Sequence, residues 1–284
     1  GPVRGRELRN AVSAVLKDIP KYQADNGGFL YYEDSRFVSE YLSLYTMYVI
    51  KIALDTGYSI PQDVIDRGIK YIERIAVSEL SGMWNYSNYA RWSIRNNAVY
   101  ILALYGNTDY RNQLNDIFKN RDKLYLSSKA KLLETLDIYG DQTSKDTLVD
   151  EIRSVITHET EYAFYDDGLS DRWLFQNDIK NSAAVLKSLL SVYGEYEKAP
   201  LIVNFFRKRI KQGFWVNTHT TALVLEALTQ FYRIFEKDPP RFNATAAMND
   251  ETIMQAQFKG REDYKRESTI SGKDMKQGKN ILEL

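Results

Sequence analysis

"QGFWVNTHTTALVLEALTQF" (residues 212–231) runs from a glycine and two aromatics through a short polar turn straight into an apolar helix. The same order recurs upstream in "GGFLYYEDSRFVSEYLSLYTMYVIKIAL" (27–54) and "SGMWNYSNYARWSIRNNAVYILALYG" (81–106). A helix that is apolar nearly all round has no face to give to water, so each must be covered on most sides. A chain that repeats this step is building one structural unit several times.

Between the apolar helices lie amphipathic ones: "PQDVIDRGIKYIERIA" (61–76), "TDYRNQLNDIFKN" (108–120), "TSKDTLVDEIRSVI" (143–156) and "PLIVNFFRKRIKQ" (200–212). The periodicity predicts about ten helices, near 7–18, 36–56, 61–76, 93–105, 109–120, 127–139, 144–157, 178–193, 200–211 and 218–236. Pro61 suits a first helical turn, and Gly57, Gly106, Gly140 and Gly194 suit helix ends. Aligning Ile52, Leu104, Leu136, Leu189 and Leu228 as equivalent inner positions gives intervals of roughly 30 to 55 residues, a helix pair plus a variable loop. Buried and amphipathic helices alternating at this period predict an α/α toroid over residues 1–238. The competitor is a right-handed α-solenoid, whose repeats hold a tighter period.

The composition bounds the function. Lys plus Arg and Asp plus Glu are equal at 38 each, with no basic stripe to neutralise phosphates, which argues against nucleic acid. No apolar run reaches the ~18 residues that span a membrane. The absence of cysteine removes disulfides, thiolate nucleophiles and Cys-based zinc sites together. The chain opens Gly1-Pro2 without Met, the pattern of a tag-cleavage scar on an excised fragment.

After the breaker Asp238-Pro239-Pro240 the pattern changes. Phe242, Ala244, Ala246 and Met248 alternate with polar or small residues, Thr252, Met254, Ala256 and Phe258 repeat the alternation, and Gly260, Gly272 and Gly278 mark turns. Residues 239–284 read as three or four strands with one apolar face and no second layer, a piece of a larger sandwich.

The stretch "DNGGFLYYEDSRFVSEYLSLYTMYVIKIALDTGYSIPQDVIDRGIKYIER" (25–74) resembles the thioester-domain region of the alpha-2-macroglobulin and complement superfamily. Asp25, Gly27, Gly28 and Phe29 match its D-G-G-F loop; Ser39, Tyr41, Leu42, Tyr45, Tyr48 and Val49 match the helix that follows; Gly57, Tyr58, Ile60 and Pro61 match its G-Y-x-V-P segment. "GFWVNTHTTALVLEAL" (213–228) is similar to the family's final inner helix through Trp215, Thr218, Thr221, Ala222, Leu225, Ala227 and Leu228, with His219 in place of the usual Gln. "FKGR" (258–261) and "GKNILEL" (278–284) look like strands that follow the toroid in bacterial members, the branch the chain resembles most. Gly27, Gly28, Phe29, Tyr41, Leu42, Tyr45, Trp84, Trp215, Thr218 and Thr221 are thereby expected to be structural motif residues. The family's C-G-E-Q or C-L-E-Q thioester motif is missing here, and the resemblance places it upstream of residue 1 or lost. The helix count falls short of that family's complete toroid, so its first pair is expected to be missing or diverged.

The candidate reactive groups are sparse. Glu33-Asp34 and Asp166-Asp167 could act as acid and base on a glycosidic bond, as in toroid glycosidases. Adjacent acids in turns are more commonly caps and loop formers, and neighbouring side chains seldom converge on one atom. His158 and His219, the only histidines, lack ligand spacing, and His219 in a first helical turn points to capping. The thioester-directing His of the family is missing from "GMWNYSNYARW" (82–92). Trp84, Trp92, Trp173 and Trp215 could form an aromatic wall of the terpene-cyclase kind, but no D-x-D-D motif accompanies them; wedging between inner helices is the simpler role.

No catalytic residue, metal site or cofactor is therefore expected. The resemblance implies a non-catalytic domain of a bacterial alpha-2-macroglobulin-like protease inhibitor. Its expected partners are β-sandwich domains of the same parent chain and trapped proteases, without nucleic acid or membrane contact by this fragment. Residues 239–284 would belong to a flanking CUB- or MG-like sandwich, and the location would be periplasmic or at the cell surface. The other readings are a carbohydrate-active toroid enzyme and a plain interaction scaffold.

Overall fold

The computed structural model describes residues 5–79, 86–171, 174–239, 241–260 and 265–284. The chain divides between Gln230 and Phe231 into two compact units.

The first unit is built around inner helices whose starts are fixed by side chains. Helix α2 (Glu40–Asp55) begins where the Ser39 hydroxyl accepts the Leu42 N–H, four residues later than the periodicity suggests, because Val38 pairs with Leu30 as extended chain. Ser87 does the same for α4 (Asn88–Leu104) by accepting from Ala90, so α4 starts before the expected residue 93. Asn177 accepts the Lys180 N–H at the start of α8 (Asp178–Tyr193). Helices α6 (Leu126–Ile138) and α10 (Thr218–Phe235) complete the inner set.

Helices α3 (Gln62–Val77), α5 (Arg111–Lys119), α7 (Gln142–Ser154) and α9 (Ala199–Arg209) are the amphipathic partners. They pack against α2 and α4, α4, α6 and α8 respectively. Helix α1 (Gly5–Asp18) precedes them and buries only Leu16. Helix α7 ends at Ser154 rather than 157: the chain turns there into a small antiparallel hairpin, β1 (Ile156–His158) with β2 (Ala163–Tyr165), which the helical reading missed. Ile52 is a second correction; it is 37% exposed, and the fully buried position beside it is Ile50.

The inner helices follow one another and then close. Tyr105 of the α4 C-terminus donates to the Met47 carbonyl of α2 at 2.9 Å, and Asn96 of α4 donates to the Ser128 carbonyl of α6 at 2.8 Å. The Ser127 N–H of α6 donates to Asn181 of α8 at 3.1 Å. Between the last inner helix and the first, Tyr48 donates to Glu226 at 2.6 Å, and Tyr41 shares a 2.9 Å hydrogen bond with His219. A solenoid never brings its ends together, so these contacts decide for the toroid.

The second unit carries a three-stranded antiparallel sheet in the order β4-β3-β5, from β3 (Arg241–Met248), β4 (Glu251–Lys259) and β5 (Leu282–Glu283). Phe242 faces Phe258, Ala244 faces Ala256 and Ala246 faces Met254, but the register shifts after Ala246, so Met248 pairs with Glu251 and Thr252 with Ala247. The Phe242 and Phe258 rings stack at 4.9 Å, yet Phe242 stays 53% exposed.

Candidate functional site

The family-motif residues divide between scaffold and centre. Gly27 has φ +88°, and a Cβ there would fall 2.2 Å from the Arg67 carbonyl oxygen; one on Gly28 would meet Val38 at 2.3 Å and the Tyr71 ring at 2.8 Å. Phe29 is buried, and its N–H donates to Ser43 of α2 at 2.7 Å. The loop thus clamps α2 against α3 through backbone approach, which only glycine permits. Leu42 is half-buried, and Thr218 is exposed at the first position of α10.

Trp215 is buried, but its indole N–H donates to the Phe206 carbonyl of α9 at 2.8 Å. It therefore wedges against an outer helix, not between inner ones. Thr221 holds it by accepting the Trp215 N–H at 3.0 Å and donating to the Trp215 carbonyl at 3.1 Å. Trp92 is likewise buried on α4, with Arg95 and Lys123 over its ring. Trp84 and Trp173 lie outside the described residues.

The paired acids serve loops. Asp166 accepts the Gly168 N–H at 3.0 Å, while Asp167 accepts the Leu126 N–H at 2.8 Å and the Asn181 side-chain amide at 3.1 Å. Asp167 thereby satisfies a free N–H in the first turn of α6 from a distant loop. Glu33, Asp34 and His158 are exposed. The expected capping role of His219 falls to Asn217, which accepts the Thr220 N–H at 2.8 Å. The His219 ring instead stands among Tyr41, Tyr45 and Phe175, with centroids 4.8–5.7 Å away.

These contacts open onto the feature that the sequence reading missed. Tyr41, Tyr45 and Tyr48 of α2, Lys131 and Glu134 of α6, Lys180 and Lys187 of α8, and His219 on α10 line one cavity of ≈ 40 Å³, with Tyr100 of α4. Glu226 reaches the same place through Tyr48. Spacings of three, four and seven residues place each set on one helical face, turned to the middle of the ring.

Charges here are paired unequally. Glu134 accepts from Lys187 at 3.1 Å, Tyr100 at 2.7 Å and Ser188 at 2.5 Å. Burial alone would raise its carboxyl, but Lys187 and these hydrogen bonds outweigh it and hold it below the usual range. Burial likewise opposes the charge on Lys187, and Glu134 overrides it, lifting that amine well above its ordinary value. Glu226 is raised by burial. Burial, with Lys180 and Lys131 nearby, lowers His219 to about 3, so its imidazole is neutral at pH 7. Lys180 is lowered by burial and by Lys131, and donates to the Leu174 carbonyl. Lys131 is lowered to about 8 by burial and by Lys187.

Among the described residues no group of three or more His, Cys, Asp or Glu side chains could hold a metal, and no helix is long and apolar enough to cross a membrane.

A closed ring of inner helices inside amphipathic ones defines the class, an α/α toroid followed by a short antiparallel sheet. That fold is shared with bacterial alpha-2-macroglobulins. The Escherichia coli protein in its native conformation is similar over 92% of this chain at TM-score 0.69 and 17% identity. The E. coli protein activated by porcine elastase is similar over 92% at TM-score 0.65 and 19% identity, and the Salmonella protein reacted with methylamine over 92% at 0.68 and 16%. The chain spans 16% of the first and third of these and 22% of the second. No protein-family model and no curated protein matches the sequence.

Proposed function

We propose that the chain is a non-catalytic helical domain of a bacterial alpha-2-macroglobulin-like protease trap, moving as one rigid body when a protease is captured. The observation that carries this reading is the closed ring: the fold matches the native and the elastase-activated relative, each over 92% of this chain. A body that keeps its form across both states transmits movement without deforming. The charged centre supports the same reading, since Glu134 is fully engaged by Lys187, Tyr100 and Ser188 and has no free valence for a substrate proton. In this reading the exposed apolar face around Phe242 belongs to a flanking sandwich formed with neighbouring domains, and the location is periplasmic or at the cell surface. With no cysteine, the chain's own residues cannot form a Cys–Gln thioester.

The test incubates the protein carrying this chain with trypsin or elastase. A trap hides the protease from large substrates and leaves its active site working, so cleavage of casein should fall while cleavage of a small chromogenic peptide persists. Equal loss of both would indicate an active-site inhibitor, and loss of neither would remove the inhibitor reading.

A further inference from the structure

We propose that the centre of the ring binds a small monovalent anion, chloride or a single carboxylate such as formate, between the amines of Lys131 and Lys180. This is independent of the trap reading.

The case rests on which charges are already answered. Glu134 is taken by Lys187, Tyr100 and Ser188, and Glu226 by the Tyr48 hydroxyl. Lys131 makes no hydrogen bond or ion pair with any described residue, and its amine stands 5.9 Å from the Tyr100 ring centre. Lys180, 5% exposed, donates to the Leu174 carbonyl and, at 3.5 Å, to the Tyr41 hydroxyl, both neutral groups. Asp171 acts on Lys180 only through space, its own carboxylate accepting from Tyr125 at 2.7 Å. These two amines share the cavity with one carboxylate, Glu134, that is already engaged by Lys187, and they are held there at an energetic cost.

The remaining polar groups add donors. Lys180 donates to the Tyr41 hydroxyl at 3.5 Å, and that hydroxyl shares a 2.9 Å hydrogen bond with His219 Nε2. The other ring nitrogen, Nδ1, is buried without a hydrogen-bond partner, and it is a donor in the tautomer in which Tyr41 donates to Nε2. Lys131, Lys180 and His219 all line the cavity, an arrangement that anions complement. Its ≈ 40 Å³, walled also by Leu44, Ile101 and Leu223, is room enough for a monatomic or triatomic ion. Burial pushes both amines toward neutrality, helped at Lys131 by Lys187 and at Lys180 by Lys131, and an anion between them reverses that push. Glu134 and Glu226 oppose it and Lys187 favours it, while His219 stays neutral. Binding should therefore take up protons and strengthen as pH falls from 9 to 6.5.

The experiment uses the whole chain at constant ionic strength, with chloride or formate replacing the bulky gluconate ion. Chloride-35 line broadening, displaced by formate, should saturate and reveal binding directly, and melting temperature should rise along the same curve. Lys131→Met should weaken binding at least tenfold and melt no lower than the parent in gluconate, because it removes an unanswered charge; Lys119→Met on an outer helix should change neither. Absence of saturable broadening in the parent, or its survival in Lys131→Met, would overturn the proposal. Broadening lost equally in Lys119→Met would do the same, by assigning it to the general surface.

Discussion

The two faces of the inner helices follow opposite rules. On α8 the outward face gives Val185, Leu186 and Leu189 to a dry core, whereas the inward face turns Lys180 and Lys187 to the centre of the ring. On α6, Leu132, Leu133 and Leu136 are fully buried beside Lys131 and Glu134. The outward face stabilises by area and packing and tolerates exchange of one apolar residue for another. On the inward face Glu134 and Lys187 stabilise only while each keeps the other, so the same ring contains a forgiving seam and an unforgiving one.

The largest expected effect is on the unforgiving side. Glu134→Ala should destabilise by about 3–5 kcal/mol, because Lys187 is left charged and buried. Replacing both partners, Glu134→Leu with Lys187→Met, should recover most of that loss in a chemical denaturation series. If the double variant is as unstable as the single one, packing rather than charge governs the centre. Trp215→Ala tests the forgiving side with a loss of the same order, about 3–5 kcal/mol, from the cavity left beside Phe206. An unchanged melting temperature would mean that Trp215 is free for a partner instead.

A smaller effect separates the faces by pH. His219 has a folded-state pKa of about 3 against an ordinary 6.5, so the unfolded chain takes up a proton that the folded ring refuses. Its contribution is complete above pH 6.5 and is lost as pH falls toward 3, by at most about 1.4 kcal/mol per unit. Glu226, raised by burial, tilts the profile the other way, so the comparison is with His219→Gln, which keeps a side chain able to bond Tyr41. The variant's stability should fall less steeply between pH 6 and 4. Parallel slopes would place His219 in water.

The ring was legible in the sequence because its outward logic is periodic, apolar helices between amphipathic ones, whereas the helix starts set by Ser39 and Ser87 were not. The centre was not, although its signal was present. Lys187 stands in the middle of "SAAVLKSLLSVYG" (182–194) and Glu226 in "TTALVLEALTQF" (220–231), each a charge that an otherwise apolar helix does not explain. Periodicity counts apolar positions and passes over an isolated charge. The partner of each charge lies on another helix: Tyr48 and Glu226 are 178 residues apart. The hairpin of β1 and β2 escaped for a related reason, since three-residue strands carry no period of their own.

That distant pair also offers the most direct test of the account, because only a closed ring brings α2 and α10 together. A double-mutant cycle with Tyr48→Phe and Glu226→Gln, read from urea denaturation at neutral pH, isolates the contact across the closure. The closed ring predicts a coupling of about 0.5–3 kcal/mol between the two positions. Strictly additive losses would contradict it and return the helices to an open solenoid.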